Sequence, residues 1–289
     1  MVKKRVAIIG SNGQLGSELV RFLSAENEII PLTHQEIQIE NLNSCLKISD
    51  LKPDVIINTA AFHDVKICEK NLKQSYLTNS LGSQNIAITA DHSQAYLIHI
   101  STDYVFDGNK NTPYLESDEI RPLNVYGTTK ALGEMLSTQY NENTCILRIA
   151  ALYGKDVCRG KPRLNFVDLM LQLVKSGKQI SVVENEYTTP TSALSIANQI
   201  SCLISNPHTG IFHSTCEGQC SWYEFANEIF KIKNINANIT PKTVEPDFSL
   251  NRPQYSVLEN REFKNIGMNT FPHWKESLEI YLRSNETSS

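Results

Sequence analysis

Short apolar runs separated by amphipathic stretches dominate the first half of the chain. Val6-Ala7-Ile8-Ile9 is the first, and comparable runs fall near 28–32, 54–58, 95–100 and 144–149. Continuous apolar blocks of this length fit strands buried on both faces, where alternation would fit a half-exposed sheet. Helical patterning fills the gaps, over Glu18 to Leu23, 71–91 and 126–140. The alternation predicts an α/β fold built on a doubly wound parallel sheet. In the second half a helix is expected around 165–176, a strand at Gln179 to Val183 and a helix over 190–205 returning toward the sheet. From 221 onward helices and loops are expected, with Pro241, Pro246, Pro253 and Pro272 as punctuation.

Composition narrows the function classes. A chain of 289 residues can bury a sizeable core as one large domain or two smaller ones. The net charge is -4, and no basic run exceeds Lys3-Lys4-Arg5, which argues against nucleic-acid partners. No stretch approaches the ~20 apolar residues of a spanning helix, and no cleavage-type leader is visible, so no membrane association is expected. Seven scattered cysteines fit a reducing compartment, hence a cytoplasmic protein. His213, Cys216 and Cys220 have spacing that could serve part of a zinc site, but no fourth ligand accompanies them and no metal is expected.

Three segments carry candidate chemistry. The first strand runs into Gly10-Ser11-Asn12-Gly13-Gln14-Leu15-Gly16 and then a helix. Strand, glycine turn and helix is the context of a dinucleotide site, where backbone approaches pyrophosphate at a helix N-terminus. The strand near 95–100 delivers Ser101 and Thr102 to the carboxyl edge of the sheet, where open α/β sheets bind ligands. Tyr126 and Lys130 stand four apart, on one face of a helix. An ammonium beside a phenol favours the phenolate, so this spacing predicts a tyrosine with a lowered pKa that exchanges protons near neutrality.

Together these segments resemble the extended short-chain dehydrogenase/reductase superfamily, and more closely the dTDP-4-dehydrorhamnose reductase family. The resemblance extends through Asn58-Thr59-Ala60-Ala61-Phe62 with Glu69, Ser101 to Gly108, Pro122 to Gly127 with Lys130, and Leu147-Arg148. It continues in Ser221-Trp222-Tyr223-Glu224-Phe225-Ala226 and Arg252-Pro253 with Ser256. It implies a Rossmann-type domain over 1–150, and over 151–289 a smaller α/β substrate lobe with segments returning to the main sheet. It implies Tyr126 as proton donor, Lys130 as its partner on the nicotinamide ribose, and Thr102 aligning the reacting oxygen or the phenol. Cofactor contacts are implied for Gly10, Asn12, Gly13, Gln14, Leu15, Gly16, His34, Ile39, Asn58, Ala60, Ala61 and Phe62, besides Tyr126 and Lys130. Thr102, Asp103, Tyr104, Arg252 and Ser256 are implied to meet a nucleotide-sugar substrate, while Trp222, Tyr223 and Phe225 are read as packing residues.

The expected reaction is reduction of the C4 ketone of a 6-deoxy-4-keto sugar. His34 stands where an arginine would mark NADPH, so NADPH is expected, with NADH as a second donor. Departures from the family pattern bear on the sugar: Ala150-Ala151-Leu152 replaces a segment with a substrate-contacting tryptophan, and Ala61-Phe62-His63 replaces Ala-Tyr-Thr. The basic stretch from Gly154 to Arg163 reads either as an attractor for a nucleotide diphosphate or as a solvated loop. A homodimer is compatible with the family, but Leu194 replaces the acidic partner of Glu18 that would support a magnesium-bridged one. Two alternatives stay open: a nucleotide-sugar epimerase or dehydratase, and a regulatory subunit resembling that of methionine adenosyltransferase.

Overall fold

The computed structural model describes residues 3–156, 164–177, 179–245 and 252–286. Six parallel strands form its centre: β1 (Arg5–Ile9), β2 (Glu28–Leu32), β3 (Val55–Asn58), β4 (Tyr96–Thr102), β5 (Thr144–Ile149) and β6 (Gly210–His213). Their spatial order is β6-β5-β4-β3-β1-β2. The chain thus reverses direction across the sheet between β1 and β3, where Ile9 lies level with Asn58. The carboxyl edge of that reversal is the ligand crevice of doubly wound folds.

Because successive side chains point to opposite faces, each apolar strand feeds two cores. Val6, Ile8, Val55, Ile57, Ile98 and Ile100 face one layer, packed by helices α1 (Gln14–Leu23) and, from the second half, those over Ala193–Ser205, Trp222–Ile232 and Trp274–Glu286. Ala7, Ile9, Ile56 and Leu97 face the other, against Ile86, Ala87 and Ala90 of α2 (Gly82–His92). Strand β6 follows the helix over Ala193–Ser205 and pairs with β5, His213 level with Arg148.

The expected helix over 71–91 is interrupted: Leu72–Tyr76 passes through a π-turn at Leu77–Leu81 before α2. The wider turn directs three buried polar side chains, Thr78, Asn79 and Ser80, inward. Asn79 donates to Thr129 Oγ1 (3.0 Å) and Phe62 O (2.9 Å), and Ser80 donates to Thr129 O (2.8 Å). The bonds to Thr129 fasten α3 (Val125–Tyr140) to this turn so closely that a Cβ on Gly133 would sit 2.3 Å from Asn79 O. A further departure is Ile239–Lys242, which pairs in parallel with Ile180–Val183 where only helices and loops were expected. Its exposed, proline-bearing sequence suits a small two-stranded ladder and hides the strand from pattern reading. Among the described residues no helix is long and apolar enough to cross a membrane.

Candidate active site

At the end of β1 the chain turns through Gly10 at φ +76°. A Cβ there would lie 2.8 Å from Thr59 Oγ1, and one on Gly16 would lie 2.2 Å from Gly10 O. Only glycine fits either position, so bare backbone faces outward. Helix α1 then starts after Gly13 with no side chain capping it, leaving its first N–H groups for a ligand. A cavity of about 790 Å³ opens on this turn. Gly10, Asn12, Gly13, Gln14, Leu15 and Gly16 border it, as do His34 and Ile39 beyond β2 and Ala60, Ala61 and Phe62 beyond β3. Asn58 does not border it, a correction to its expected cofactor contact. Its side chain turns into the sheet, where it is held by Ala60 N–H (3.2 Å to Oδ1) and lies 3.3 Å from His99 Nδ1.

The same cavity continues over the carboxyl end of β4 to the start of α3. Asn124 caps that helix by accepting the Gly127 N–H (2.8 Å), and Glu69 accepts the Val125 N–H (2.8 Å). A Cβ on Gly127 would lie 2.2 Å from Tyr104 O, so the helix start is pressed against the Thr102–Val105 turn. Tyr126 is thereby held beside Thr102, whose hydroxyl acts to lower the phenol's pKa, and its ring lies edge-on to Tyr104 at 5.8 Å. Thr102 donates to Asp103 Oδ1 at 3.1 Å. Burial pushes the Asp103 carboxyl up to about 6, against hydrogen bonds from Ser256 and Thr102.

Lys130 corrects a second expectation. Its Nζ donates to Ile100 O at 2.6 Å and lies 3.3 Å from His99 Nε2. The phenol of Tyr126 is raised, not lowered: burial dominates, and Asp103 reinforces it against the Thr102 hydroxyl. One Nζ proton is committed to the Ile100 carbonyl, Lys130 still borders the cavity, and burial brings its pKa down to about 8 while Glu134 opposes the shift. Spacing placed the two residues on one helix face but not the direction in which the lysine extends.

At the mouth the cavity is bordered by Asp103, Tyr104, Arg252 and Ser256, and by the Ala150-Ala151-Leu152 segment. Trp222 also borders it, against its reading as a packing residue. It occupies the first turn of its helix, where the ring reaches past the core-facing Phe225. Glu186 is a residue the sequence did not single out. Burial raises its carboxyl, while Arg252 and the Trp222 indole act to lower it. At the opposite end Glu40 accepts from Thr78 Oγ1 (2.7 Å) and Gln74 Nε2 (3.2 Å), two more cavity residues without a local signature. His63 borders the cavity as well. The basic stretch is described only to Asp156; residues 157–163 lie outside the described part. Asp156 pairs with Arg21 (2.6 Å), which also binds Glu18 (2.7 Å). Among the described residues no cluster of His, Cys, Asp or Glu could hold a metal.

The family model described as the RmlD substrate binding domain matches residues 4–286. The spore coat polysaccharide biosynthesis protein SpsK of Bacillus subtilis is 36% identical over 287 residues, covering 98% of this chain and 99% of that protein. A solved dTDP-4-dehydrorhamnose reductase from Clostridium acetobutylicum superposes with a TM-score of 0.92 at 38% identity, covering 98% of this chain and 99% of that one. The dTDP-4-dehydrorhamnose reductase of Bacillus anthracis, solved in complex with NADP, gives 0.92 at 33% identity, covering 98% and 100%. Over nearly its whole length, this chain belongs to the dTDP-4-dehydrorhamnose reductase, or RmlD, family.

Proposed function

We propose that the chain is an oxidoreductase that uses NADPH, with NADH as a second donor, to reduce the C4 ketone of a nucleotide-linked 6-deoxy-4-keto sugar. One observation carries the reading: a single cavity joins the glycine turn, Thr102 with Tyr126, and the Arg252 mouth. The reductase names of the solved relatives and the NADP of one of them support it.

The residues present fit a dinucleotide. Glycine backbone and an uncapped helix N-terminus suit a pyrophosphate. Gln14 Nε2, buried and without a partner among the described residues, belongs to a residue on the same wall. His34 borders the cavity beyond β2, where a neutral or protonated imidazole suits either a ribose hydroxyl or a 2′-phosphate. When bound, the reduced nicotinamide supplies the hydride.

Tyr126 gives its proton to the sugar oxygen as charge develops there. Thr102, beside it on the cavity wall, favours the phenolate as the proton leaves. Arg252, exposed at the rim, offers a guanidinium to the substrate diphosphate. Residues 1–150 hold the dinucleotide in this reading, and 151–289 furnish most of the sugar-nucleotide contact. The Ala150–Leu152 wall leaves room for rhamnose or a related deoxysugar.

The test is oxidation of NADPH and NADH with dTDP-4-keto-6-deoxy-L-sugar. Tyr126→Phe should lower kcat by about 10²–10⁴-fold. Turnover near wild type in a folded variant would remove Tyr126 from the role of acid, and no oxidation by the wild-type chain would remove the reductase reading itself.

A further inference from the structure

Behind the reacting end of the cavity three polar side chains cross the middle of the fold: Asn58 on β3, His99 on β4 and Lys130 on α3. All are buried, at 1%, 0% and 1% exposure. Polar groups at that depth are costly unless paired, and their pairing fixes direction. The Ala60 N–H donates to Asn58 Oδ1 (3.2 Å), so the amide nitrogen faces His99 Nδ1 at 3.3 Å. An amide NH₂ only donates, so Nδ1 must present its lone pair. The imidazole is neutral, since burial first and Lys130 second oppose its charging. Its one proton therefore sits on Nε2, which lies 3.3 Å from Lys130 Nζ.

Nζ already donates to Ile100 O at 2.6 Å. An amine can accept the Nε2–H with its lone pair, whereas an ammonium has no lone pair and would meet it hydrogen to hydrogen. We propose that His99 is a positioning residue for the reaction: its Nε2–H, locked by Asn58, opposes the charge on Lys130 and makes that lysine a ready proton donor. The purpose rests on the reductase reading above; the hydrogen-bond geometry does not.

The proton that leaves Tyr126 ends on the new sugar hydroxyl and has to be replaced. Lys130, one helical turn along α3, returns an Nζ proton to the Tyr126 phenolate and becomes an amine that accepts the Nε2–H. The ammonium then re-forms from solvent through the cavity. Few charges act against this. Glu134, one turn further on, favours the ammonium, but it is held by Arg148 (2.8 Å) and by Ser101. Burial brings Lys130 down in the same direction as the Nε2–H.

The free protein, labelled with ¹⁵N and ¹³C histidine, gives the first test. The His99 resonances, assigned by their loss in His99→Gln, should report the Nε2–H tautomer at neutral pH; the Nδ1–H tautomer would overturn the proposal. In His99→Gln the amide oxygen can face the ammonium. The ¹³Cε titration of Lys130 and the basic limb of kcat should then both move up by about one pH unit or more, with KM for the sugar nucleotide unchanged. A role confined to filling the core would lower stability and leave both titrations in place, which would also refute the idea. If His99→Gln folds poorly, Asn58→Asp provides the same reading, because a carboxylate takes the Nδ1–H and should raise Lys130 likewise. A chain that turns over no keto sugar would sink the reductase reading, while the tautomer measured in the free protein would still decide the pairing.

Discussion

The two ends of the cavity are made of different material. Its floor is backbone, concentrated in Gly10–Gly16 and Thr59–Phe62, and a few ångströms of clearance decide which residue types are admissible there. Its mouth is side chain, gathered from Asp103-Tyr104, Ala150–Leu152, Glu186–Thr188, Trp222 and Arg252–Ser256. A floor of that kind suits a ligand shared by many enzymes, because nothing in it reads a particular substituent. A mouth of separate side chains can change one residue at a time without disturbing the sheet beneath it.

The sharpest way to break this contrast is at the floor. Gly16→Ala would place Cβ 2.2 Å from Gly10 O, an obstacle of backbone that no rotamer can relieve. The expected penalty exceeds the usual ~1–3 kcal/mol of overpacking. NADPH and NADH affinity should fall together, by about 100-fold or more, in titrations followed by cofactor fluorescence. A variant that lost one cofactor and kept the other would show that the turn reads more than a pyrophosphate.

Asp103 stands where the two ends meet, and its titration supplies a test of stability. Burial raises its carboxyl from 3.8 to about 6. A group raised in the folded state contributes stability that is complete below pH ~4 and is lost as pH rises through about 6, in total on the order of 3 kcal/mol. Asp103→Asn removes the ionisation. Urea midpoints of the two proteins should converge near pH 4 and separate by pH 7, the variant being the more stable at the higher pH. Parallel curves would mean that Asp103 titrates normally.

At the mouth itself the expected effects are smaller and confined to the sugar nucleotide. Arg252 is exposed, with Glu186 and Tyr104 in its field. Arg252→Gln should raise KM for the sugar nucleotide about 10-fold, more steeply at low salt, and leave the cofactor's Kd unchanged. An equal loss at both ligands would erase the division between floor and mouth.

The same division governs what could be read from the sequence. Strands buried on both faces leave continuous apolar runs, and a turn that admits only glycine leaves glycines, so the central sheet and the Gly10–Gly16 turn were legible. Ile239–Lys242 was not, because its polar sequence makes only an edge ladder. His99 lies inside an apolar run, and its partners come from β3 and α3, so no local pattern marks it. Asn58 illustrates the limit of recognition by motif: the right segment reaches the cavity, but the pleat turns this side chain into the sheet. Trp222 reads as packing because it opens an amphipathic helix with a Ser221–Glu224 capping box, a pattern that reports the helix but not the cavity beside its first turn.

The smallest expected effect sharpens the account of the Ala150–Leu152 wall. Ala151 adopts φ +40°, the left-handed region that costs a residue with a Cβ about 1–2 kcal/mol, and its carbonyl accepts from Thr191 N at 3.3 Å. Glycine would remove the strain and give part of it back through the greater freedom of the unfolded chain, about 0.4–1 kcal/mol. Ala151→Gly should therefore stabilise the protein by roughly 0.5–1 kcal/mol, read from urea midpoints. Held strain at a binding wall commonly serves to fix its shape, so the more stable variant should also bind the sugar nucleotide a few-fold more weakly. Greater stability with unchanged KM would make the strained turn a feature of the fold alone, and the specificity of the mouth would then rest on Glu186, Trp222 and Arg252.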